Sequence, residues 1–212
     1  MAPEPGSPEE ELLFARAANL VRGGGVVLVP TETFYALATD PFQDESLQRI
    51  FAIKLRDEGK PLPLIASDPA SVYRLVGQPD ARVRRLMDSF WPGSLTIVLG
   101  TTRAVPVALT GPTGKIGVRI PPPCPARTLA RRAGGWITAT SANLSGEPNP
   151  DRVDEIAVKV LNAVDLILDF GPSPGGEPST VVEPLGSTIR IIRDGAIPGA
   201  MIEECFERGD ES

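Results

Sequence analysis

Short apolar runs alternate with polar, proline- and glycine-rich punctuation along the whole chain. Ser7-Pro8-Glu9-Glu10 is a helix start: a serine N-cap, proline in the first turn, glutamate three residues on. Leu12, Leu13, Ala17, Leu20 and Val21 keep helical spacing until Gly23-Gly24-Gly25. Val26 to Val29 is a continuous apolar run, the pattern of a strand covered on both faces. After a threonine-rich turn, Asp44 opens a helix with Leu47, Ile50 and Phe51 on one face and Lys54 near its end. Residues 61–67 predict a strand, with Pro63 placing it at an edge or strand start. Asp68-Pro69 and Asp80 open helices that run to about Val76 and Phe90.

The second half repeats the alternation. Ser94–Leu99, Ile116–Ile120 and Trp136–Thr140 predict strands, with a helix over 125–133 before the last. Val153, Ile156, Val160 and Leu161 predict a helix over 151–164. Leu166–Phe170, Ser179–Glu183 and Thr188–Arg193 predict strands, the last two antiparallel. No repeat or linker divides the pattern. It predicts one α/β domain over 7–200, a twisted mixed parallel and antiparallel sheet flanked by helices, then a loose acidic tail over 201–212.

Composition narrows the chemistry. The chain has 212 residues, 42% apolar and 23% charged, which are globular values. A net charge of −6 makes the surface as a whole repel nucleic acid, so any nucleic-acid role would need a local basic patch or a partner protein. Two distant cysteines form no disulfide framework, no membrane-length apolar run is seen, and no signal peptide is expected. A reduced, cytosolic protein with no membrane association is expected. The chain contains no histidine, which excludes Ser-His-Asp and Cys-His catalysis within it. No zinc-type ligand cluster is visible, and a general base has to be Lys, Asp, Glu, Tyr or a substrate group.

Several strands end in hydroxyl or amide residues: Thr31 and Thr33, Thr138 through Asn143, and Ser179-Thr180. Cations recur near element ends: Lys54, Arg56, Lys60, Lys115, Arg119 and Arg193. Converging on one cleft, they suit carboxylate or phosphate oxygens; left apart, they are solvated surface. Arg119 interrupts the strand pattern Ile116-Gly-Val-Arg-Ile, and a buried arginine needs an anionic partner. Ser141-Ala142-Asn143 is either a helix cap or turn, or a cradle for phosphate oxygens. The triple glycine is read as a helix stop. It precedes a strand, and no dinucleotide fingerprint or P-loop is present.

Pro30-Thr-Glu-Thr-Phe-Tyr-Ala-Leu, Ile50-Phe-Ala-Ile-Lys-Leu-Arg, Trp91-Pro-Gly-Ser-Leu-Thr, Gly117-Val-Arg-Ile-Pro, Thr140-Ser-Ala-Asn-Leu-Ser-Gly and Ser179-Thr-Val-Val occur in that order. Together they resemble the YrdC-type threonylcarbamoyl-AMP synthase family, in its short single-domain form, from about Leu12 to Pro198. The resemblance implies condensation of L-threonine, bicarbonate or CO2, and ATP into threonylcarbamoyl-AMP and pyrophosphate. Mg²⁺ would accompany ATP, with no metal site on the protein. The product would pass to a separate tRNA threonylcarbamoyl transferase complex. The resemblance implies threonine contacts at Thr33, Arg119, Ala139 and Ser179. It implies ATP contacts at Arg56, Lys60, Lys115, Ser141, Asn143, Asn149 and Arg193. Lys54 and Arg56 would stabilise charge, without a covalent nucleophile. The chain departs from the family pattern in three places: Leu55-Arg56-Asp57 replaces Gly-Arg-Pro, Tyr35-Ala36-Leu37 replaces Tyr-Gly-Leu, and Ile65 stands where some members have histidine. The loop from Gly171 to Pro178 is the expected cover of the site. The competing readings are a non-catalytic RNA-binding module and a related carbamoyl-adenylate-forming protein with another acceptor.

Overall fold

In the computed structural model, which describes residues 3–57 and 59–208, helix α1 (Pro8–Arg22) starts where the cap signals place it. The Ser7 hydroxyl accepts from Glu10 N at 3.2 Å. The triple glycine closes it, with Gly25 N donating to Leu20 O at 2.8 Å. Strand β1 (Val27–Pro30) then pairs antiparallel with β2 (Tyr35–Ala38), Pro30 opposite Tyr35. The threonine-rich turn is therefore the bend of a hairpin. The second strand was not expected, because Tyr35–Ala38 is too short to separate from its turn by pattern. Helix α2 (Asp44–Lys54), strand β3 (Leu64–Ala66), helices α3 (Pro69–Val76) and α4 (Ala81–Phe90) and strand β4 (Leu95–Gly100) follow as the pattern predicts. A four-residue helix, α5 (Val107–Thr110), precedes β5 (Lys115–Arg119), and α6 (Pro125–Arg132) follows it.

The predicted strand at Trp136–Thr140 divides. β6 (Trp136–Thr138) pairs with β3, and β7 (Thr140–Ser141) pairs with β2. The chain crosses between two sheets at Ala139, so the expected single sheet is two. One has the order β7-β2-β1-β8, where β8 is Leu166–Ile167. The other has the order β10-β9-β4-β5-β3-β6, where β9 is Thr180–Leu185 and β10 is Thr188–Arg193. Both sheets mix parallel and antiparallel pairs. The helix expected over 151–164 is broken into a 3-10 turn at Val153–Glu155 and α7 (Val158–Leu161). Ile156 between them is extended, with ψ 130°. The segment is rich in β-branched residues, which favour helix weakly. Its start is also tethered, since Pro150 O accepts from Tyr35 N and Asp151 O from Ser173 N.

β1 explains its own unbroken apolar run. Val27 and Val29 face a core with Phe14, Ala17 and Val21 of α1 and Leu129 of α6, while Leu28 joins a larger core with Leu64, Ile97 and Val118. Each such fully buried side chain contributes about 1.5–3 kcal/mol. An exposed pair such as Arg208 with Glu204 contributes at most about 1 kcal/mol, so sheet burial decides the architecture. The loose tail expected from residue 201 is corrected: α8 (Gly199–Glu207) is helical and buries Ile202 and Phe206. Residues 209–212 of that tail lie outside the described residues.

Candidate active site

Side chains alternate across a strand, so every second residue of a sheet faces one side. On one side of the six-stranded sheet, Thr96 and Val98 of β4 and Lys115, Gly117 and Arg119 of β5 form the floor of a cleft of about 440 Å³. Glu183 of β9 and Arg190 of β10 continue that floor. The hairpin bend at Thr31 to Phe34 and the crossing segment Ala139 to Ser141 complete the wall. Gly117 keeps the floor low, since a Cβ there would lie 3.2 Å from Thr96 Cγ2.

All four residues expected to contact threonine reach this cleft: Thr33, Arg119, Ala139 and Ser179. The bend is held by Thr31, whose Oγ1 accepts from Thr33 N at 3.1 Å and Phe34 N at 3.2 Å and donates to Phe34 O at 2.8 Å. Ala139 is fixed by its amide, which donates to Pro63 O at 2.9 Å. Ser179 Oγ shares a hydrogen bond with Thr96 Oγ1 at 2.9 Å, and its carbonyl accepts from Arg193 Nη2 at 2.6 Å. Gly195 permits that approach, because a Cβ there would stand 2.2 Å from Pro178 O. Arg119 is buried, as its place in the strand pattern required. Its anionic partner is within the chain, Glu32, with Nε 3.0 Å from Oε1.

Of the residues expected to contact ATP, Arg56, Lys115, Ser141, Asn149 and Arg193 line the same cleft. Arg56 donates from Nη2 to Pro61 O at 3.1 Å, while its buried Nε has no hydrogen-bond partner among the described residues. Burial lowers its pKa, partly offset by Asp57. Burial, then the charge of Arg119, likewise lowers that of Arg193. Arg56 is half-buried and Arg193 exposed, so both guanidinium groups can meet an incoming anion.

Three expected site residues stand elsewhere. Lys60 is exposed on the turn beyond Arg56, outside the cleft lining. Lys54 is almost wholly buried, and all of its ammonium donors are engaged. They go to Ser141 O, to Asn143 O at 2.7 Å and to Asn143 Oδ1 at 2.9 Å. Asn143 in turn accepts from Ser141 Oγ at 2.6 Å and donates to Glu147 O at 2.5 Å. Lys54 and Asn143 therefore shape the loop that carries Ser141 rather than facing the cleft. Within Ser141–Asn143 the structure shows a turn whose first residue, Ser141, lines the cleft. Ile65 points into the core beside α1 and α6, so the position has no part in the cleft.

The sequence reading missed Glu32, Thr96, Glu183 and Arg190. Glu32 lay inside a quoted motif but drew no role. Glu183 and Arg190 become visible only through strand register, which sets them opposite each other. The loop expected to cover the site is tied down at Thr33, whose carbonyl accepts from Gly175 N at 2.8 Å. It is also held by Tyr35, whose hydroxyl donates to Gly171 O at 2.7 Å. Burial, then Asp169, raises the tyrosine's pKa above its ordinary value.

A concave site with a partly apolar floor and convergent polar groups is the form of a small-molecule site. Its lining on this α/β domain holds five cations, Arg56, Lys115, Arg119, Arg190 and Arg193, of which Arg119 is paired with Glu32 and Lys115 and Arg190 with Glu183. The chain belongs to the Sua5/YciO/YrdC family, whose model, described as "Telomere recombination", matches residues 19–195. It is 33% identical over 191 residues to the threonylcarbamoyl-AMP synthase of Bacillus subtilis, covering 90% of this chain and 55% of that one. It is 32% identical over 184 residues to the synthase of Idiomarina loihiensis, covering 85% and 97%. The structure of Pyrococcus abyssi Sua5 complexed with L-threonine superimposes with a TM-score of 0.84 at 31% identity, over 91% of this chain and 56% of that one. The chain thus spans little more than half of the longer relatives and nearly all of a shorter one. Among the described residues no helix is long and apolar enough to cross a membrane.

Proposed function

We propose that the protein is an L-threonylcarbamoyladenylate synthase, a nucleotidyltransferase that joins L-threonine, CO2 from bicarbonate, and ATP. The observation that carries this reading is the convergence of Arg119, Ser179 and Thr33 with Arg56, Lys115 and Arg193 in one cleft. The family relation and the threonine complex of the Pyrococcus relative support it. The neutral amine of threonine attacks the carbon of CO2, a C–N bond forms, and one proton leaves to solvent. An oxygen of the resulting carbamate attacks the α-phosphorus of ATP, the bond to the β-phosphate breaks, and pyrophosphate departs.

Arg119 offers the amino-acid carboxylate the donors that Glu32 does not occupy. Arg56, Lys115 and Arg193 offset phosphate charge, in a site partly withdrawn from water where such charges act strongly. Lys54 contributes by holding the Ser141 loop. Catalysis then rests on positioning and electrostatics rather than on a covalent intermediate. Mg²⁺ arrives on the ATP phosphates. Among the described residues no group of three or more Cys, Asp or Glu side chains is placed to hold a metal ion. The labile adenylate passes to a tRNA-modifying transferase in the cytosol, with no direct tRNA contact needed here.

The test is pyrophosphate release from ATP with and without L-threonine and bicarbonate. Release that requires both is expected. Release indifferent to threonine would refute the reading.

A further inference from the structure

We propose that Glu183 is a positioning residue for the nucleotide side of the cleft, pinning Lys115 with one carboxylate oxygen and Arg190 with the other, and that Arg190 thereby joins the anion-binding set. This rests on the ATP-using reading above and deepens it.

The register makes the arrangement. Arg190 of β10 lies directly opposite Glu183 of β9. β9 runs parallel beside β4, which in turn pairs with β5 and sets Lys115 opposite Gly100. Thr96, Val98 and Gly100 share one face of β4 by the two-residue period. Lys115 and Glu183 meet across that strand on its cleft side. Lys115 Nζ donates to Glu183 Oε1 at 2.5 Å, and Arg190 Nη2 donates to Glu183 Oε2.

Burial and charge then separate a positioning role from a surface ion pair. Glu183's side chain is 7% exposed, whereas those of Lys115 and Arg190 are 35% and 62% exposed. The acid is the buried member and the two cations stand outward at the cleft. Hydrogen bonding from Lys115 first, then from Arg190, holds the carboxyl below its ordinary pKa against the opposing effect of burial. An ammonium carries three donors and a guanidinium five, so each cation retains donors after binding Glu183. Glu183 is the one carboxylate among the described residues lining a cleft with five cations. Its charge by itself repels an anionic ligand. Fixing two flexible cations in advance offsets that repulsion, because less side-chain freedom is lost when the ligand binds.

The two roles predict opposite signs, and binding reads them directly. Calorimetry would measure a non-hydrolysable Mg²⁺–ATP analogue and, separately, L-threonine, on the wild type and on Glu183→Gln, Glu183→Asp and Arg190→Ala. Expected is at least tenfold weaker nucleotide binding in Glu183→Gln although the cleft has gained a positive charge. Partial recovery is expected in Glu183→Asp, with threonine affinity within twofold throughout. Arg190→Ala, at an exposed side chain that leaves the core intact, is expected to weaken nucleotide binding at least threefold. Unchanged or tighter nucleotide binding in Glu183→Gln would overturn the proposal, as would equal weakening of both ligands with a lowered melting temperature. Failure of the wild type to bind nucleotide would refute the ATP-using reading itself, and the inference with it.

Discussion

Arg119 Nε lies 3.0 Å from Glu32 Oε1, and the two side chains are only 10% and 9% exposed. The pair ties the bend of the β1–β2 hairpin to the floor strand β5, the two parts of the site expected to receive the amino acid. Removing one member of a buried pair costs about 3–5 kcal/mol, because the other is left charged and unpaired. Arg119→Ala is therefore expected to destabilise the protein on that scale in urea unfolding, and Arg119→Ala with Glu32→Gln to recover a large part of it. Glu32→Gln alone is expected to raise the threonine KM about tenfold, or about 1.4 kcal/mol, by loosening the guanidinium. An unaltered threonine KM in that variant would limit Glu32 to folding.

Burial, and then the charge of Arg56, lowers the pKa of Lys54 from 10.5 to about 8. Between these values the unfolded chain binds this proton more tightly than the folded one. The contribution of Lys54 to stability therefore rises with pH across that window and is complete above 10.5. Function runs the other way, since a neutral amine has one donor fewer for the three oxygens of the Ser141 loop. Pyrophosphate release is expected to fall as pH rises past about 8 while this part of the stability increases. Lys54→Met should abolish both trends and cost about 1–3 kcal/mol through unpaired oxygens. Parallel pH series of urea midpoint and turnover in both proteins check this.

Leu55 is the described non-glycine residue with positive φ, 49°, and it is 63% exposed. It stands where the family pattern has glycine. A left-handed L-residue costs about 1–2 kcal/mol, whereas glycine costs about 0.5–1 kcal/mol in unfolded-chain entropy. Leu55→Gly is expected to stabilise by about 0.5–1 kcal/mol in chemical denaturation, with turnover preserved. A loss of stability would mean that the exposed leucine makes a contact of value.

Phe206 is fully buried in α8, and Arg82 lies over its ring at 6.0 Å. Phe206→Ala is expected to cost about 3–5 kcal/mol in thermal or urea unfolding, the range for a large core truncation. A loose tail would give no change.

The sequence carried most of the outline and many of the residues that line the cleft. Val26–Val29 announced a doubly covered strand, the aspartates capped α3 and α4 where expected, and Arg119 stood out because a charge interrupted an apolar pattern. Local pattern failed where the outcome depends on distant register. Glu183 and Lys115 are separated by 68 residues and meet only because β9, β4 and β5 align. Lys54 and Arg56, two residues apart at a helix end, read as one cation cluster. The left-handed Leu55 between them sends one into the Ser141 loop and the other to the cleft. The acidic end of the chain masked the Ile202 and Phe206 spacing that buries α8.

The segment that leaves one sheet at Thr138 and enters the other at Thr140 has a mechanical consequence. Its amides hold both neighbours, Thr138 N on Thr39 O at 3.1 Å and Ala139 N on Pro63 O at 2.9 Å. The hairpin wall and the sheet floor are thus spliced by a single inextensible peptide beside the ligand position. The spacing of wall and floor is thereby set by covalent geometry at Ala139 and not by side-chain contacts alone.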